Sequence, residues 1–393
     1  MLKTKNIKPA GLYVHIPFCV KKCAYCDFLS MPASEEVREN YVNLLCEEIE
    51  REAVCYPDYR GETVFFGGGT PTILRPEQIE RVLCKLSECF SVDVFGKRTE
   101  EITIECNPGT VTGEDLRRMR RMGINRLSIG LQSAQKEELR KLGRIHSWED
   151  FLRTYSFARE AGFENINVDV MSALPGQSVE SYVNSIEKVV GLRPEHISAY
   201  SLIIEEGTPF YEQYGTADKQ RKIDGVDEKH LLPSEEEERQ MYELTEMILG
   251  ETGYRRYEIS NYALPGYECR HNITYWKRGN YLGFGLGAAS LMENCRFTKP
   301  KDLKEYTENL HREEQFLSTQ EQMEEFMFLG LRLMEGISCK EFKEAFHVPI
   351  ESIYGDVLEK LERQGLLTRV KDRIFLTKRG IDISNTALAE FLF

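Results

Sequence analysis

Three cysteines near the start of the chain have the residue type and spacing for metal chemistry. Cys19, Cys23 and Cys26 form a C-x3-C-x2-C motif, with Tyr25 directly before the last cysteine. Thiolates at this spacing can ligate three irons of a [4Fe–4S] cluster and leave the fourth iron open for another ligand. A zinc site, which needs a fourth ligand from elsewhere in the chain, and three unligated thiols remain as alternatives. The specific spacing favours the cluster.

Glycine-rich and acidic positions lie further along the chain, in or after short apolar runs. A Gly-Gly-Gly-Thr-Pro segment at residues 67–71 follows one run. Glycines let a backbone approach a ligand, although such a segment also occurs in tight turns. Glu105 lies at the end of another run and can accept hydrogen bonds from a diol, with a surface carboxylate as the alternative. Asp169 lies inside an apolar run, where an ionised carboxylate is costly without a partner.

The apolar runs predict six β-strands, separated by amphipathic helical patterns. The strands are predicted at residues 11–16, 63–67, 101–106, 126–132, 165–171 and 196–204. Strands and helices that alternate in this way form βαβ units, and therefore a parallel sheet that is open or curled into a whole or partial barrel. Ligands bind at the carboxyl ends of such strands. The cysteine motif directly follows the first strand, so we expect it at that edge.

Composition and charge limit the partners and the compartment. The chain has 393 residues, of which 41% are apolar and 29% charged, and 51 basic against 64 acidic residues give a formal charge of −13. No broad basic surface is expected, so nucleic acid is not an expected partner. No apolar run reaches the ~18 residues that span a bilayer, and the first residues lack the apolar core of a signal peptide. A cytoplasmic protein with mostly reduced cysteines is expected.

Changes in pattern predict three regions. Residues 1–232 hold the alternation of strands and helices, residues 233–300 form a connecting region dense in tyrosine and glycine, and residues 301–393 form a C-terminal module. A charged stretch at residues 211–240 is interpreted as a solvated surface. The last region ends in two short strands around a turn at Lys371-Asp372, an order typical of a winged-helix module. The acidic composition favours a packing or covering role for this module over DNA reading.

The cysteine motif and its surroundings resemble a known family. Together with the Tyr-Val-His-Ile-Pro-Phe segment at residues 13–18, the motif resembles the radical S-adenosylmethionine (SAM) enzymes of the oxygen-independent coproporphyrinogen III oxidase superfamily, over nearly the whole chain. The resemblance implies an α/β fold, a radical SAM partial (β/α)6 TIM-like barrel with a C-terminal helical, winged-helix-like domain. It also implies a cluster whose open iron is chelated by SAM, which is cleaved reductively to a 5′-deoxyadenosyl radical.

The same resemblance implies which residues contact SAM. The matching positions are Tyr13, Tyr25, Gly68, Gly69, Thr70, Glu105, Gln132, Arg144, Asp169 and Ile203. Backbone carbonyls of the glycine segment are implied to meet the methionine ammonium, and Glu105 the ribose hydroxyls. Arg144 is implied to pair with the SAM carboxylate through its planar fork. Ile203 is implied to form an apolar wall beside adenine.

Two segments separate the branches of this superfamily. The oxidase branch has a cysteine two residues after the cluster motif, where this chain has Phe28, and a longer N-terminal segment that covers the porphyrinogen. Phe28 and the His-Asn-Ile-Thr-Tyr-Trp segment at residues 271–276 resemble the heme chaperone branch instead. This resemblance implies that heme is bound as cargo and passed to an acceptor protein, with the respiratory chain as a candidate destination. Classical coproporphyrinogen oxidase activity is not expected.

His271 is the candidate heme ligand, because a neutral imidazole binds iron and aromatic neighbours suit a porphyrin face. A structural histidine that hydrogen-bonds a loop carbonyl is an equally open alternative. For the function as a whole, the alternative is a radical SAM oxidoreductase that acts on a tetrapyrrole.

Overall fold

The structure, a computed structural model, describes residues 7–94, 101–215, 231–308 and 312–392. It confirms the six predicted strands, which are β1 Lys8–Ile16, β2 Tyr59–Gly68, β3 Glu101–Cys106, β4 Arg126–Gln132, β5 Ile166–Ser172 and β6 His196–Ser201. Strand β6 ends before the predicted residue 204. Within the charged stretch at residues 211–240, residues 216–230 lie outside the described part of the chain.

Helices connect these strands, as the alternation predicted. They span Glu35–Cys55, Pro76–Phe90, Gly113–Arg121, Lys136–Leu142, Trp148–Glu160 and Val179–Gly191, and Pro71–Ile73 forms a 3-10 turn. Several begin at hydroxyl caps: the side chain of Ser34 accepts a hydrogen bond from the N–H of Val37, and that of Ser147 from the N–H of Asp150. Such caps satisfy N–H groups that the first helical turn leaves unpaired. Ser34 and Ser147 therefore mark where these two helices begin.

Strands β1 to β6 lie side by side in sequence order, and each neighbouring pair is parallel. The sheet continues past both ends of this series. On one side lie β9 (Tyr281–Phe284), β10 (Ala289–Met292), β11 (Cys295–Thr298) and β12 (Glu313–Phe316), and on the other lie β8 (Asn261–Ala263) and β7 (Arg255–Glu258). The described residues thus form a twelve-stranded sheet with a parallel centre. This centre confirms the predicted α/β class.

The two faces of a central strand differ in chemistry. On β4, Leu127 and Ile129 are fully buried and belong to the main hydrophobic core. Arg126, Ser128 and Gln132 alternate with them, and these polar residues line a cavity. The alternation arises because successive side chains of a strand point to opposite faces. One face of the sheet thus stabilises the fold, and the other faces the cavity.

The C-terminal residues build a smaller unit with its own core. Its helices span Thr319–Gly330, Cys339–Phe346, Glu351–Arg363, Lys378–Asp382 and Ser384–Ala389, around strands β13 (Ile337–Ser338), β14 (Leu367–Val370) and β15 (Arg373–Leu376). Strands β14 and β15 form an antiparallel hairpin, with Lys371 in the left-handed region at φ 55°. The predicted module of helices and a hairpin is therefore confirmed.

The large sheet and the C-terminal unit meet near β12. That strand pairs with β11 in the large sheet, whereas the second core begins at Met323. The predicted region borders at 232/233 and 300/301 stay predictions. Across the junction, Arg278 and Arg296 form ion pairs with Glu325 at 2.9 and 2.6 Å. The unit is thus attached to the sheet by buried and half-buried charges.

Between β6 and the C-terminal unit, the described residues form four further helices. They span Pro209–Tyr214, Glu235–Glu251, Arg270–Trp276 and Leu303–Glu308. Within the described ranges, no helix is long and apolar enough to cross a membrane.

Candidate functional site

A cavity of about 320 Å³ opens at the carboxyl ends of the parallel strands. Cys19, Cys23 and Cys26 all line it, from the segment between β1 and the helix Glu35–Cys55. In the part of the chain that the structure describes, no three His, Cys, Asp or Glu side chains gather around one point closely enough to hold a single metal ion. The three thiols thus share the wall of one cavity, at the edge of the sheet where the sequence places them.

Backbone hydrogen bonds hold the cysteine segment against neighbouring loops. The N–H of Cys19 donates to the carbonyl of Met31 at 3.0 Å, and the N–H of Ala24 donates to the carbonyl of Leu142 at 3.0 Å. His15, near the end of β1, adds a side-chain contact, with its Nε2 at 2.9 Å from the carbonyl oxygen of Leu29. The protein's own contacts therefore determine the path of this segment around the cavity.

Gly68 and Gly69 lie beside the cysteines, where a side chain has no room. A Cβ atom on Gly69 would lie 2.7 Å from the carbonyl oxygen of Phe18 and 2.9 Å from Sγ of Cys19. Gly68 has φ +115°, a conformation that favours glycine, and a Cβ there would lie 2.6 Å from Cε1 of His15. This glycine cradle keeps the cavity open next to Cys19, which fits a cluster on the thiols and a ligand beside it.

Glu105 and Asp169 bring two carboxyl groups into the same cavity. Oε2 of Glu105 accepts a hydrogen bond from the N–H of Gly68 at 3.0 Å, and Oδ1 of Asp169 accepts one from Nδ2 of Asn167 at 2.7 Å. Burial and, to a smaller extent, the nearby Asp169 raise the pKa of Glu105 to about 8. Burial also raises the pKa of Asp169. The pair therefore favours a ligand that brings hydroxyl donors or positive charge.

Arg144 lies between the cysteine segment and the ends of the strands. Its Nη2 donates to Oδ1 of Asn107 at 3.0 Å and to the carbonyl of Gly130, and its Nη1 lies 3.8 Å from Sγ of Cys23. Its Nε is enclosed without a hydrogen-bond partner. A guanidinium with an unused donor beside the cysteine segment fits a ligand with a carboxylate.

Thr70, Gln132 and Tyr25 also line the cavity. Oγ1 of Thr70 accepts a hydrogen bond from Nδ2 of Asn107 at 2.7 Å. The side-chain oxygen of Gln132 accepts one from the hydroxyl of Tyr200 at 3.0 Å. Burial raises the pKa of Tyr25, so this tyrosine is neutral. With Gly68, Gly69, Glu105, Arg144 and Asp169, the structure thus gathers eight of the ten predicted SAM contacts around one cavity.

The other two predicted SAM contacts lie outside the cavity lining. The hydroxyl of Tyr13 is 3.0 Å from Nδ1 of His15, and its ring stacks on Phe65 with centroids 6.2 Å apart. Ile203 lies beyond the end of β6 and is 68% exposed. Tyr13 therefore supports the cysteine segment through His15, and Ile203 can only contact a ligand that extends past the cavity.

His271 is buried, and its ring nitrogens contact two hydroxyl groups rather than the loop carbonyl of the structural alternative. It is 1% exposed, with Nδ1 at 2.8 Å from Oγ1 of Thr63 and Nε2 at 2.7 Å from the hydroxyl of Tyr275. Burial and, to a smaller extent, the positive charge of Arg126 lower its pKa to about 3. In this conformation both ring nitrogens are occupied, so the neutral imidazole presents no free atom to an iron.

Sequence reasoning missed several residues that line the cavity, among them Asn107, Arg126, Ser128, Asn167, Tyr200 and Asn272. A signal for two of them was available: Arg126 and Ser128 have the same parity as Gln132 on β4, so the twofold repeat of a strand places all three on one face. Asn272 belongs to the segment at 271–276 and faces the cavity, whereas His271 beside it does not. No local pattern distinguishes these two neighbours.

Comparison with known families identifies the class of protein. The family described as Radical SAM superfamily matches residues 13–189, and the HemN C-terminal domain matches residues 317–383. The first match contains the cysteine segment, the glycine cradle and both cavity carboxyls. The cavity and these matches define a radical SAM protein, and this class supports binding of a [4Fe–4S] cluster and SAM.

Relatives that match over nearly the full chain narrow the class to one family. The chain is 35% identical to the heme chaperone HemW of Lactococcus lactis over 98% of both chains. It is 34% identical to that of Bacillus subtilis, over 97% of this chain and 98% of the relative, and 32% identical to that of Escherichia coli, over 98% and 99%. The chain therefore belongs to the HemW family of radical SAM proteins.

A solved structure shows the same fold. The coproporphyrinogen III oxidase HemN of Escherichia coli matches with a TM-score of 0.81, over 98% of this chain and 90% of that chain, at 24% identity. This likeness confirms the predicted radical SAM fold with a helical C-terminal part, and at this identity it concerns the fold alone.

Proposed function

We propose that this chain is a heme chaperone that holds a [4Fe–4S] cluster on Cys19, Cys23 and Cys26, binds SAM in the adjoining cavity and passes heme to an acceptor protein. The observation that carries the proposal is the convergence of three thiols and a glycine cradle on one cavity. This arrangement lies in a chain that matches heme chaperones over nearly its full length. The cavity supports the cofactors, and the relatives support the cargo.

The residues around the cavity have different roles in this proposal. The three thiols hold three irons. Gly68 and Gly69 leave room for SAM, Glu105 accepts hydrogen bonds from its hydroxyls, and Arg144 faces its carboxylate. Together these groups orient the ligand beside the cluster and shield it from water. When bound at a reduced cluster, SAM supplies radical chemistry.

The residues at the mouth of the cavity suit the binding of heme. Phe28, which replaces the cysteine of the oxidase branch, is 61% exposed and lines the cavity, and Val20 of the same segment is also exposed. Lys21 and Lys22 are exposed at the same place, and neither forms an ion pair with a residue that the structure describes. Apolar side chains next to two cations suit a molecule with a flat apolar ring and carboxylates, such as heme.

Heme titration and transfer test the cargo. We expect the anaerobically reconstituted chain to show a saturable Soret change with heme, and the loaded chain to pass heme to apomyoglobin. Phe28→Ala should weaken heme affinity several-fold, because it removes apolar surface at the mouth. Phe316→Ala, which truncates an exposed phenylalanine of β12, is the matched control and should leave affinity unchanged. Equal affinities of the two variants would reject the mouth as the heme surface.

The oxidase reaction tests the alternative function. With SAM, a reductant and coproporphyrinogen III, we expect no vinyl-bearing product, because Phe28 carries no thiolate in place of the oxidase cysteine. A reaction without SAM is the control. Product that forms at a catalytic rate and only with SAM would overturn the chaperone proposal.

A further inference from the structure

Arg126 is a buried cation of the cavity that no motif singles out. It begins β4, is 2% exposed and lines the cavity. No described residue accepts a hydrogen bond from it, and its Nε is enclosed without a partner. A guanidinium has five N–H donors and no acceptor, and donors left unpaired in the interior cost free energy. These donors are therefore available to a molecule in the cavity.

Carboxylates near Arg126 attract it without pairing with it. Glu101 uses its oxygens to accept the N–H groups of Arg270 and His271, both at 3.0 Å, and Asp169 accepts from Asn167. No carboxylate oxygen of the described residues lies within 4.0 Å of the Arg126 guanidinium, the distance that would make an ion pair. The fully buried Lys299 contrasts with this, since it lies 2.9 Å from Glu48 and 2.5 Å from Glu52.

Several uncharged polar side chains line the same cavity, and Asp169 adds a carboxyl group to it. Ser128, Asn167 and Asn272 line it with Arg126, as does Asn261. Oδ1 of Asn261 is enclosed without a hydrogen-bond partner. Arg144, the other guanidinium of the cavity, differs in that Asn107 and Gly130 already accept hydrogen bonds from its Nη2. The cavity thus contains a second guanidinium together with uncharged polar side chains.

We propose that Arg126 and three uncharged polar residues of the lining, Ser128, Asn167 and Asn272, form a subsite for the carboxylate of a molecule bound in the cavity. A carboxylate matches the planar fork of a guanidinium through two parallel hydrogen bonds. It would also supply the counter-ion that the buried cation lacks. Two sources carry this group: SAM itself, and a tetrapyrrole with its propionates. Both sources rest on the proposed function, SAM on its cofactor site and the tetrapyrrole on its heme cargo.

The test measures whether Arg126 and a carboxylate act on each other. The anaerobically reconstituted full chain and its Arg126→Gln variant are titrated with SAM and with decarboxylated SAM, and then with heme and heme dimethyl ester. For the source that uses the subsite, we expect Arg126→Gln to weaken the acid form by about tenfold to a hundredfold. Affinity for the form without the free carboxylate should be nearly unchanged.

Arg140→Gln removes the same charge from an exposed position and should change none of the four affinities. Arg126→Lys keeps the charge and loses the fork, so it should fall between wild type and Arg126→Gln; it also carries the test if the glutamine variant does not fold. If the Arg126 variants lose affinity only for SAM, the group in the subsite is the SAM carboxylate. If they lose affinity only for heme, it is a heme propionate. If the chain binds no heme, the proposed function fails, and the comparison of SAM with decarboxylated SAM still tests the subsite. If both acid forms bind the variants as they bind wild type, the subsite is rejected.

Discussion

Two segments carry recognisable motifs, the cysteine segment after β1 and the helix that contains residues 271–276, and the fold treats them in opposite ways. The three thiols line an open cavity at the end of the sheet. The imidazole of His271 is enclosed, and Thr63 and Tyr275 occupy its two nitrogens. A motif therefore specifies residue types, whereas the surrounding packing decides whether those residues are available to a ligand.

The neighbours of each segment explain the difference. Glycines adjoin the cysteines in the cavity wall and add no side chain to it. Next to His271, the buried Glu101 accepts its backbone N–H at 3.0 Å, and the ring stacks on Phe65 with centroids 5.2 Å apart. A buried polar residue whose partners all lie within the protein adds stability rather than reactivity. The open segment suits binding, and the closed one supports the fold.

The largest effect is expected at the open segment. Substitution of Cys19, Cys23 or Cys26 by alanine should abolish stable cluster incorporation, because the two remaining thiolates cannot hold a cluster that needs three protein ligands. Iron and sulfide analysis after anaerobic reconstitution measures this. Iron content near that of wild type in any of the three variants would contradict the ligand assignment.

Two cysteines outside the segment serve as controls for this loss. Cys84 is exposed on the helix Pro76–Phe90, and Cys269 is buried 3.4 Å from Glu101. Burial raises the pKa of the Cys269 thiol to about 12, so it is poorly suited to bind metal as a thiolate. Cys84→Ala and Cys269→Ala should therefore both retain wild-type iron content, and a loss in either would point to a fourth protein ligand.

The next largest effect is expected on SAM binding, tested separately from cluster binding. Gly69→Val should sharply weaken SAM binding, because even its Cβ would lie 2.7 Å from the carbonyl oxygen of Phe18 and the rest would project toward the space beside the thiols. Isothermal titration with SAM measures this. Gly355→Ala is the control, since a Cβ there meets no atom within 4 Å. If the valine variant binds SAM as tightly as wild type does, the glycine cradle is not part of the SAM site.

The open segment could be predicted because its signals are local. The spacing of three cysteines and the alternation of strands and helices are properties of short stretches, and β3 and β4 have the bounds that their apolar runs predict. The same strand periodicity would have placed Arg126 on the cavity face. Its lack of a counter-ion could not be predicted, because that depends on where the carboxylates of other strands end up.

The closed segment could not be predicted for a related reason. Thr63 and His271 are 208 residues apart in the chain, yet their side chains are 2.8 Å apart. Nothing in the local pattern tells whether the imidazole or the neighbouring Asn272 faces the cavity. Only the docking of the helix Arg270–Trp276 against β2 resolves this, and such long-range packing has no signature in one sequence.

The smallest effects test the closed segment directly. His271→Gln removes at least one buried hydrogen bond, so the free energy of unfolding at neutral pH should fall by about 1–3 kcal/mol. Denaturant titration measures this. Because other residues of the protein occupy both imidazole nitrogens, the heme-loaded variant should have the same Soret maximum as the heme-loaded wild type. A shifted maximum with intact cluster content would make His271 a heme ligand after all.

The pH dependence of this variant gives the sharpest check. Burial lowers the pKa of His271 from 6.5 to about 3 in the folded chain. Between these values the unfolded chain binds more protons than the folded one, so wild type loses stability as the pH falls. From about pH 7 to about pH 5 this one group contributes a loss of about 2 kcal/mol. His271→Gln has no such contribution, so the difference in unfolding free energy between wild type and variant should narrow as the pH falls.

His347→Asn, which replaces an exposed histidine, is the control and should follow the wild-type pH profile. A difference between wild type and His271→Gln that stays constant with pH would show that the imidazole is not held neutral by burial, and the contrast between the two segments would then fail.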